Sequence, residues 1–362
     1  MARKSIEEIE KYQECGLFVK HIQAATTEQQ LLELHLEMPE YIRRYFIRTK
    51  TPGSIACFRI SYWHDLMMSR VIELAEQEVQ IKIGRKLPAF SWLLFGSAGR
   101  REPTFRTDQD HGLVYIYPKK TEPNQVDEWF KRLADKVVTG LEQAGYPLCT
   151  GNVMSTNSRW RGPLEKWQTH FVDWAENPIS EHHRFLMIAA DLRHMYGDPS
   201  LAKRLQKYLY QVTRKYPKVL KKGAEFNSRL RMPLGFLNQW YKERYGYHSG
   251  TVNIKQSGYL QLVGSLRILS CKYAILESSS AKRVAKLLQN LGLTDPHATE
   301  IHKSLDLFLT LRLRRHVNCA ALGKAPDDFL DPHQLDKGAE KQWKQAIKCV
   351  RWLQHETLKR LR

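Results

Sequence analysis

Residues Trp92 to Tyr117 read WLLFGSAGRREPTFRTDQDHGLVYIY, and their reading decides the fold. A short apolar run, Trp92 to Phe95, gives way to the small residues Gly96, Ser97, Ala98 and Gly99, and a second apolar run follows from Leu113 to Tyr117. Two buried strands flanking a tight polar turn is the simplest structure for such a pattern. Asp108 and Asp110 stand just before the second strand. Side chains two apart on an extended chain leave the same face, so both carboxylates can grip one cation. Like charges held that close repel, and a fold that keeps the pair normally neutralises it with a metal or a proton. At Gly96-Ser97 the missing side chain lets phosphate oxygens approach backbone N–H groups and the Ser97 hydroxyl. Phosphate beside one strand and a cation beside the next describes nucleotide chemistry. Taken singly, a Gly-Ser turn is more often only a turn, and an Asp-x-Asp more often a solvated loop; the two on adjacent apolar strands are the informative combination.

The run GSAGRRE followed by TDQD resembles the nucleotidyltransferase superfamily of DNA polymerase beta, which carries Gly-Ser on one strand and Asp-x-Asp on the next. More narrowly it resembles the bacterial PII-uridylyltransferase-like branch, and within it the nucleotidyltransferases often fused to CBS or cyclic-nucleotide-binding modules. Later blocks fit the same group in order: CTGNVMSTNSRWRGPLEKW from Cys149, DLRHMYGD from Asp191, MPLGF from Met232, NIKQSGYLQLVGSLRIL from Asn253 and LRLRRH from Leu311. The resemblance covers roughly residues 60 to 362 and implies an α+β chain, a small mixed-sheet polymerase-beta-like core followed by an all-helical bundle.

The resemblance also implies an activity, the transfer of a nucleoside monophosphate, UMP in the nearest characterised relatives, from NTP to a hydroxyl of an acceptor such as a small signalling protein. Asp108 and Asp110 would then bind Mg²⁺, with room for two ions. Gly96, Ser97 and Gly99 would hold the triphosphate, with Arg100, Arg101 or Arg106 offsetting charge on the leaving pyrophosphate. In the wider superfamily a third carboxylate often comes from the third strand. Here the corresponding stretch, expected as a strand around Leu148 to Met154, reads CTGNVM and has no acid. Glu102 and Asp191 are the candidate substitutes, Asp191 with a structural ion pair as its plainer reading. Lys255, in NIKQSG ahead of an apolar helix, is expected as a lone buried lysine that meets either a protein carboxylate or a phosphate. Arg159 and Arg161 are left between phosphate pairing and packing.

The chain of 362 residues is 42% hydrophobic, enough for a substantial core in two or three domains. Its six cysteines include no C-x-x-C pair, which argues against a structural zinc site or a disulfide framework. The N-terminus lacks an apolar signal segment and no apolar run is long enough for a bilayer, which predicts a cytoplasmic protein with no membrane partner. A net charge of +19 favours polyanions. Yet the basic residues are dispersed and no DNA- or RNA-binding motif accompanies them, so nucleoside triphosphate is the expected anion and nucleic acid the lesser alternative. A nucleotide-sensing module without turnover is the other.

Three regions are expected: an N-terminal helical segment over 1–58, a nucleotidyltransferase-like domain over 59–197 and a helical domain over 198–362. In the first, Thr26 or Thr27 caps a helix with a stripe at Leu31, Leu34 and Met38 that Pro39 interrupts. Ile60 to Val79 is helix-periodic, and Asn124 to Gly145 forms a crossover helix closed by its glycine. Leu164 to Trp174 packs an aromatic face on the sheet, and Glu181 to Tyr196 reads as one helix. From Leu201 onward the periodicity is helical almost throughout.

Overall fold

The computed structural model describes residues 16–177, 180–230, 232–291 and 295–361. A four-stranded sheet lies at its centre, in the order β3-β2-β1-β4, where β1 is Phe90–Leu94, β2 His111–Tyr115, β3 Arg161–Pro163 and β4 Arg193–Gly197. The pair β1 and β2 is antiparallel, as is β1 with β4, whereas β2 and β3 run parallel, so the sheet is mixed. All five residues of β1 and all five of β2 are buried, because helices cover both faces. Period-2 geometry sorts them. Trp92, Leu94, Leu113 and Tyr115 join one core with the helices Gly53–Ile83 and Pro123–Gln143, and Leu93 and Val114 join a second with Leu164–Glu176 and Pro199–Lys215.

The crossover helix Pro123–Gln143 buries Val126, Phe130, Leu133, Val137 and Leu141, the stripe its sequence spells out. Phe130 stacks on Tyr115 with ring centroids 4.2 Å apart. Gly145 ends the segment at φ +91°, a conformation that costs glycine little, and Tyr146 N–H donates back to Leu141 O. The crossover does not lead into a strand at Leu148 to Met154. That stretch is an irregular loop, and the parallel partner of β2 is the three-residue β3. The loop still runs against β2, since Gln109 N–H donates to Pro147 O and His111 N–H to Val153 O.

Two further expectations are corrected. Pro39 does not stop its helix, which runs Glu28–Ile42 behind a Thr27 cap; burial of Met38 and Ile42 on either side outweighs one lost main-chain bond. Glu181 to Tyr196 is not one helix: the helix ends at Ala189, a turn at Ala190 to Leu192 reverses the chain, and Arg193 begins β4. Pairing with β1 overrides the helical spacing.

The third core belongs to the helices Leu260–Lys272, Asp295–Ala321 and Lys337–Arg360. The chain is not helical throughout this half. Residues 232–251 are irregular, and Val252–Asn253 pairs with Phe329–Leu330 in a two-residue ladder. The N-terminal helices are locked to this half. Asp306 accepts from both Ser54 N–H and Ser54 Oγ, capping the helix Gly53–Ile83 from another helix, and a β-carbon at Gly53 would collide with Thr310.

Candidate active site

The site is built by the connection between β1 and β2. After Phe95 the chain turns at Gly96, φ +55°, into a single helical turn, Gly96–Gly99, whose leading N–H groups have no acceptor within the turn itself. Phe95 N–H donates to Asp110 O at 2.9 Å, which sets the turn directly against the start of β2. A β-carbon at Gly96 would collide with Asp110 Oδ2, and one at Gly99 with the main-chain oxygens of Asp191 and Leu94. Both glycines are therefore required by close approach rather than by flexibility. Ser97 is half-buried beside them. Arg193 supports the turn from behind, donating to Ala98 O and gripping Asp65 through both terminal nitrogens at 2.9 and 2.7 Å.

Asp108 and Asp110 are held apart from the core by the residue between them. Gln109 is fully buried, its Nε2 donating to Val138 O and Tyr146 O, so the alternation of the backbone turns both neighbouring carboxylates outward together. The third side chain at this corner is Cys149. Anchored by the contacts of Pro147 and Val153 with β2, it donates its thiol to Asp110 Oδ1 at 3.0 Å. Ligand atoms of Asp108, Asp110 and Cys149 all lie within 4.8 Å of one another. The stretch without an acid thus still delivers a donor. Burial, then the charge of Asp108, pushes Asp110 up to about 6, against the Cys149 hydrogen bond and the charges of Lys255 and Arg100. Burial and the Asp110 charge push the Cys149 thiol up to about 12. Two carboxylates short of positive charge, packed against a turn with no side chain in the way, fit a hard divalent cation with phosphate on its far side.

The structure does not bring Glu102 to this corner. Its carboxylate is buried, Oε2 accepting from Arg100 Nε at 2.9 Å and from Tyr259 Oη at 2.5 Å, and Oε1 from Ser280 N–H at 3.1 Å. Asp191 is equally committed. It is fully buried and receives Arg100, Arg267 and Arg283, its plainer reading with different partners from Arg193, which binds Asp65. Burial alone would raise its carboxyl, but Arg267, Arg100 and Arg283 hold it well below the usual carboxylate range. Arg100 is consumed by the same cluster, with Nη2 on Tyr259 Oη. These contacts reassign Glu102, Asp191 and Arg100 from the reacting groups to the frame behind the turn.

Of the other cations, Arg101 pairs with Asp65 at 3.1 Å. Arg106 is exposed in a hollow with Leu36, Pro147 and Lys324, and no contact joins it to the carboxylate pair. Arg161 holds Ser155 O and Thr156 O, and Arg159 lies over the Phe185 ring, so packing accounts for both. Lys255 is exposed, not buried as expected, because it sits on the outside of a wide helical turn, Lys255–Tyr259, that the chain can form only with Gly258 at φ +144°. A side chain at Gly258 would collide with Phe308. Lys255 makes no ion pair among the described residues, and its charge reaches Asp110.

Sequence reasoning missed Cys149, Gln109, Asp65 and Tyr259. For Cys149 a signal was present, a potential ligand inside the block that should have supplied an acid. No helix among the described residues is long and apolar enough to cross a membrane. Curated proteins offer no match to the chain. Family models do: one described as "Putative nucleotidyltransferase DUF294" matches residues 37–181, and one described as "Putative nucleotidyltransferase substrate binding domain" matches residues 217–361. The first takes in the glycine turn, the carboxylate pair and Cys149, the second the helical half with Lys255. Spanning most of its length with both of the family's domains in order, the chain belongs to this nucleotidyltransferase family.

Proposed function

We propose that the protein transfers a nucleoside monophosphate from NTP to an acceptor hydroxyl and releases pyrophosphate, with UMP as the transferred group and a small signalling protein as the acceptor class. The observation that carries this reading is the close approach of Gly96 to Asp110, a glycine turn packed directly against a carboxylate pair that burial and mutual charge keep short of positive charge. Asp108 and Asp110 would hold Mg²⁺; when bound, it offsets charge on the phosphates and orients in-line displacement. The N–H groups of Gly96 and Ser97 and the Ser97 hydroxyl take the phosphate oxygens. Their orientation is fixed before binding by Arg193 beneath the turn and by the Phe95 to Asp110 hydrogen bond. Lys255, whose charge acts on Asp110, balances charge on the pyrophosphate side. Arg106 remains a candidate for the same duty once a nucleotide bridges the gap. In this reading the core over 59–197 carries the chemistry and the helical part over 198–362 the acceptor site.

Nucleotide binding without transfer is the second reading, favoured by the third side chain at the carboxylate pair being the thiol of Cys149 rather than an acid. The deciding experiment incubates the protein with each α-labelled NTP, Mg²⁺ and cell lysate. Transferred label with stoichiometric pyrophosphate, lost in Asp110→Asn, is the expected result. Saturable binding with no pyrophosphate supports the second reading.

A further inference from the structure

The donor set at this corner is two carboxylates and one sulfur, and the sulfur already lies 3.0 Å from Asp110 Oδ1 as its hydrogen-bond donor. We propose that Cys149 is a metal ligand and that the site takes a zinc-class divalent cation through Asp108, Asp110 and the Cys149 sulfur, more tightly than it takes Mg²⁺. This inference rests on the cation site assigned under the proposed function. It adds a ligand and a second class of cation.

The geometry meets the demands of such an ion. A four-coordinate cation with sulfur at about 2.3 Å and oxygens at about 2.0 to 2.2 Å spaces its donors about 3.2 to 3.9 Å apart, and here the three side chains bring ligand atoms within 4.8 Å of one another, with the sulfur 3.0 Å from Asp110 Oδ1. Mg²⁺ selects oxygen and gains nothing from the thiol, whereas zinc-class ions gain a strong bond. On binding, the sulfur–hydrogen bond breaks as the sulfur–metal bond forms; the proton goes to solvent, and no electron changes hands. Sulfur, two carboxylates and solvent or a phosphate oxygen complete four-coordination. The other described cysteines do not compete: Cys57 and Cys271 are fully buried, and neither they, Cys319 nor Cys349 belongs to a three-donor group among the described residues. Cys319, 3.8 Å from Asp327, serves as the internal control.

Co²⁺ is the probe, because a cobalt–thiolate bond absorbs in the near ultraviolet and a cobalt–carboxylate bond does not. Added to the full chain, Co²⁺ should bind once per chain and develop that band. Equimolar Zn²⁺ should remove it, and a hundredfold excess of Mg²⁺ should not. Cys149→Ser should lose the band while weakening Co²⁺ binding by at least about 10- to 100-fold, the loss that even an outer partner of a metal ligand causes. Cys319→Ser should change neither. If Cys149→Ser folds poorly, X-ray absorption at the zinc edge of native protein loaded with one Zn²⁺ reports the same bond, since a sulfur neighbour at about 2.3 Å should appear. Stoichiometric Co²⁺ without the band, a band that survives in Cys149→Ser, or a zinc-edge spectrum with no sulfur neighbour overturns the inference. Pyrophosphate release with Mg²⁺ is read in parallel: turnover without the sulfur band sinks the thiol ligand and leaves the transfer reading intact, while the band without turnover sinks transfer and keeps the ligand.

Discussion

Two clusters of carboxylates sit on opposite sides of one four-residue turn and differ in how their charge is met. Behind the turn, Glu102 and Asp191 are enclosed by Arg100, Arg267 and Arg283, with Tyr259 and Ser280 taking up the remaining lone pairs. In front of it, Asp108 and Asp110 face each other, a thiol and the distant charge of Lys255. The first has its charge met by arginines; the second has no basic side chain in an ion pair with it among the described residues. Sequence puts Asp108 and Asp110 first and keeps Glu102 and Asp191 as substitutes for a missing third acid. Only their partners separate a committed frame from a pair left open to a ligand.

Breaking the frame should have the largest effect. Asp191→Ala leaves three arginines buried around an uncompensated hole, and removing one partner of such a group costs about 3–5 kcal/mol. Most of the chain should unfold or aggregate in denaturant titrations at neutral pH. Because the cluster joins β4 and the turn to the helices Leu260–Lys272 and Ser280–Leu291, the loss should appear in both halves in one transition. A variant that retained wild-type stability would remove the contrast between the clusters.

Asp110→Asn should do the opposite to the fold and more to the chemistry. It removes charge from a site that lacks counter-charge, so the metal-free protein should keep or gain stability, while Mg²⁺-dependent transfer falls by about 10²–10³, the scale of a lost electrostatic stabiliser. The two readouts together matter, since a merely structural aspartate would lose both.

The front of the site was legible because its signals are local. Small residues at Gly96 to Gly99 and acids two apart need no knowledge of the rest of the chain. The frame was not, because its partners are remote: Glu102 meets Ser280, and Arg100 meets Asp191 and Tyr259, across gaps no periodicity reports. The mixed sheet was expected, yet β3 was misplaced. Arg161-Gly162-Pro163 carries none of the residues that mark strands, and it forms because β2 offers it a free edge. β4 was hidden for another reason: Leu192 and Met195 continue the apolar spacing of Phe185 and Ile188 past the turn at Asp191. Lys255 was placed in the right neighbourhood with the wrong exposure, since the wide turn at Gly258 rotates it outward.

The contrast also has a pH signature. Asp110 is raised to about 6 in the fold, above its unfolded value, so the native state binds the extra proton and metal-free stability falls as pH rises from about 4 to 6. Asp191 is lowered, so its contribution is present above the unfolded value and lost as pH falls into the strongly acid range. The stability difference between Asp110→Asn and the wild type should be near zero at pH 4 and reach about 1–2 kcal/mol at pH 7.5, discounted for partial exposure. Mg²⁺ should raise the wild-type Tm more at pH 7.5 than at pH 5. A stabilisation equal at both pH values would place the cation elsewhere.

The smallest effect is expected at Lys255, and it tests whether the helical half reaches the nucleotide. The residue is exposed and has no ion pair among the described residues, so Lys255→Met should leave the Tm of the metal-free protein within the scatter of a surface substitution, about 0.5 kcal/mol. Removing a positive charge that acts on Asp110 also raises the cost of the carboxylate pair slightly, in the same small range. With nucleotide present the lysine gains a partner, and one partly exposed contact to phosphate contributes about 1 kcal/mol, or roughly fivefold in Kd for NTP with Mg²⁺. Lys255→Arg should recover most of that loss if the contact is electrostatic, whereas Gln256→Ala, its exposed neighbour, should leave affinity unchanged. Calorimetric titration on the three variants separates the cases. Equal affinity in Lys255→Met and the wild type would confine the nucleotide to the corner of Gly96, Asp108 and Asp110 and leave the helical half to the acceptor alone.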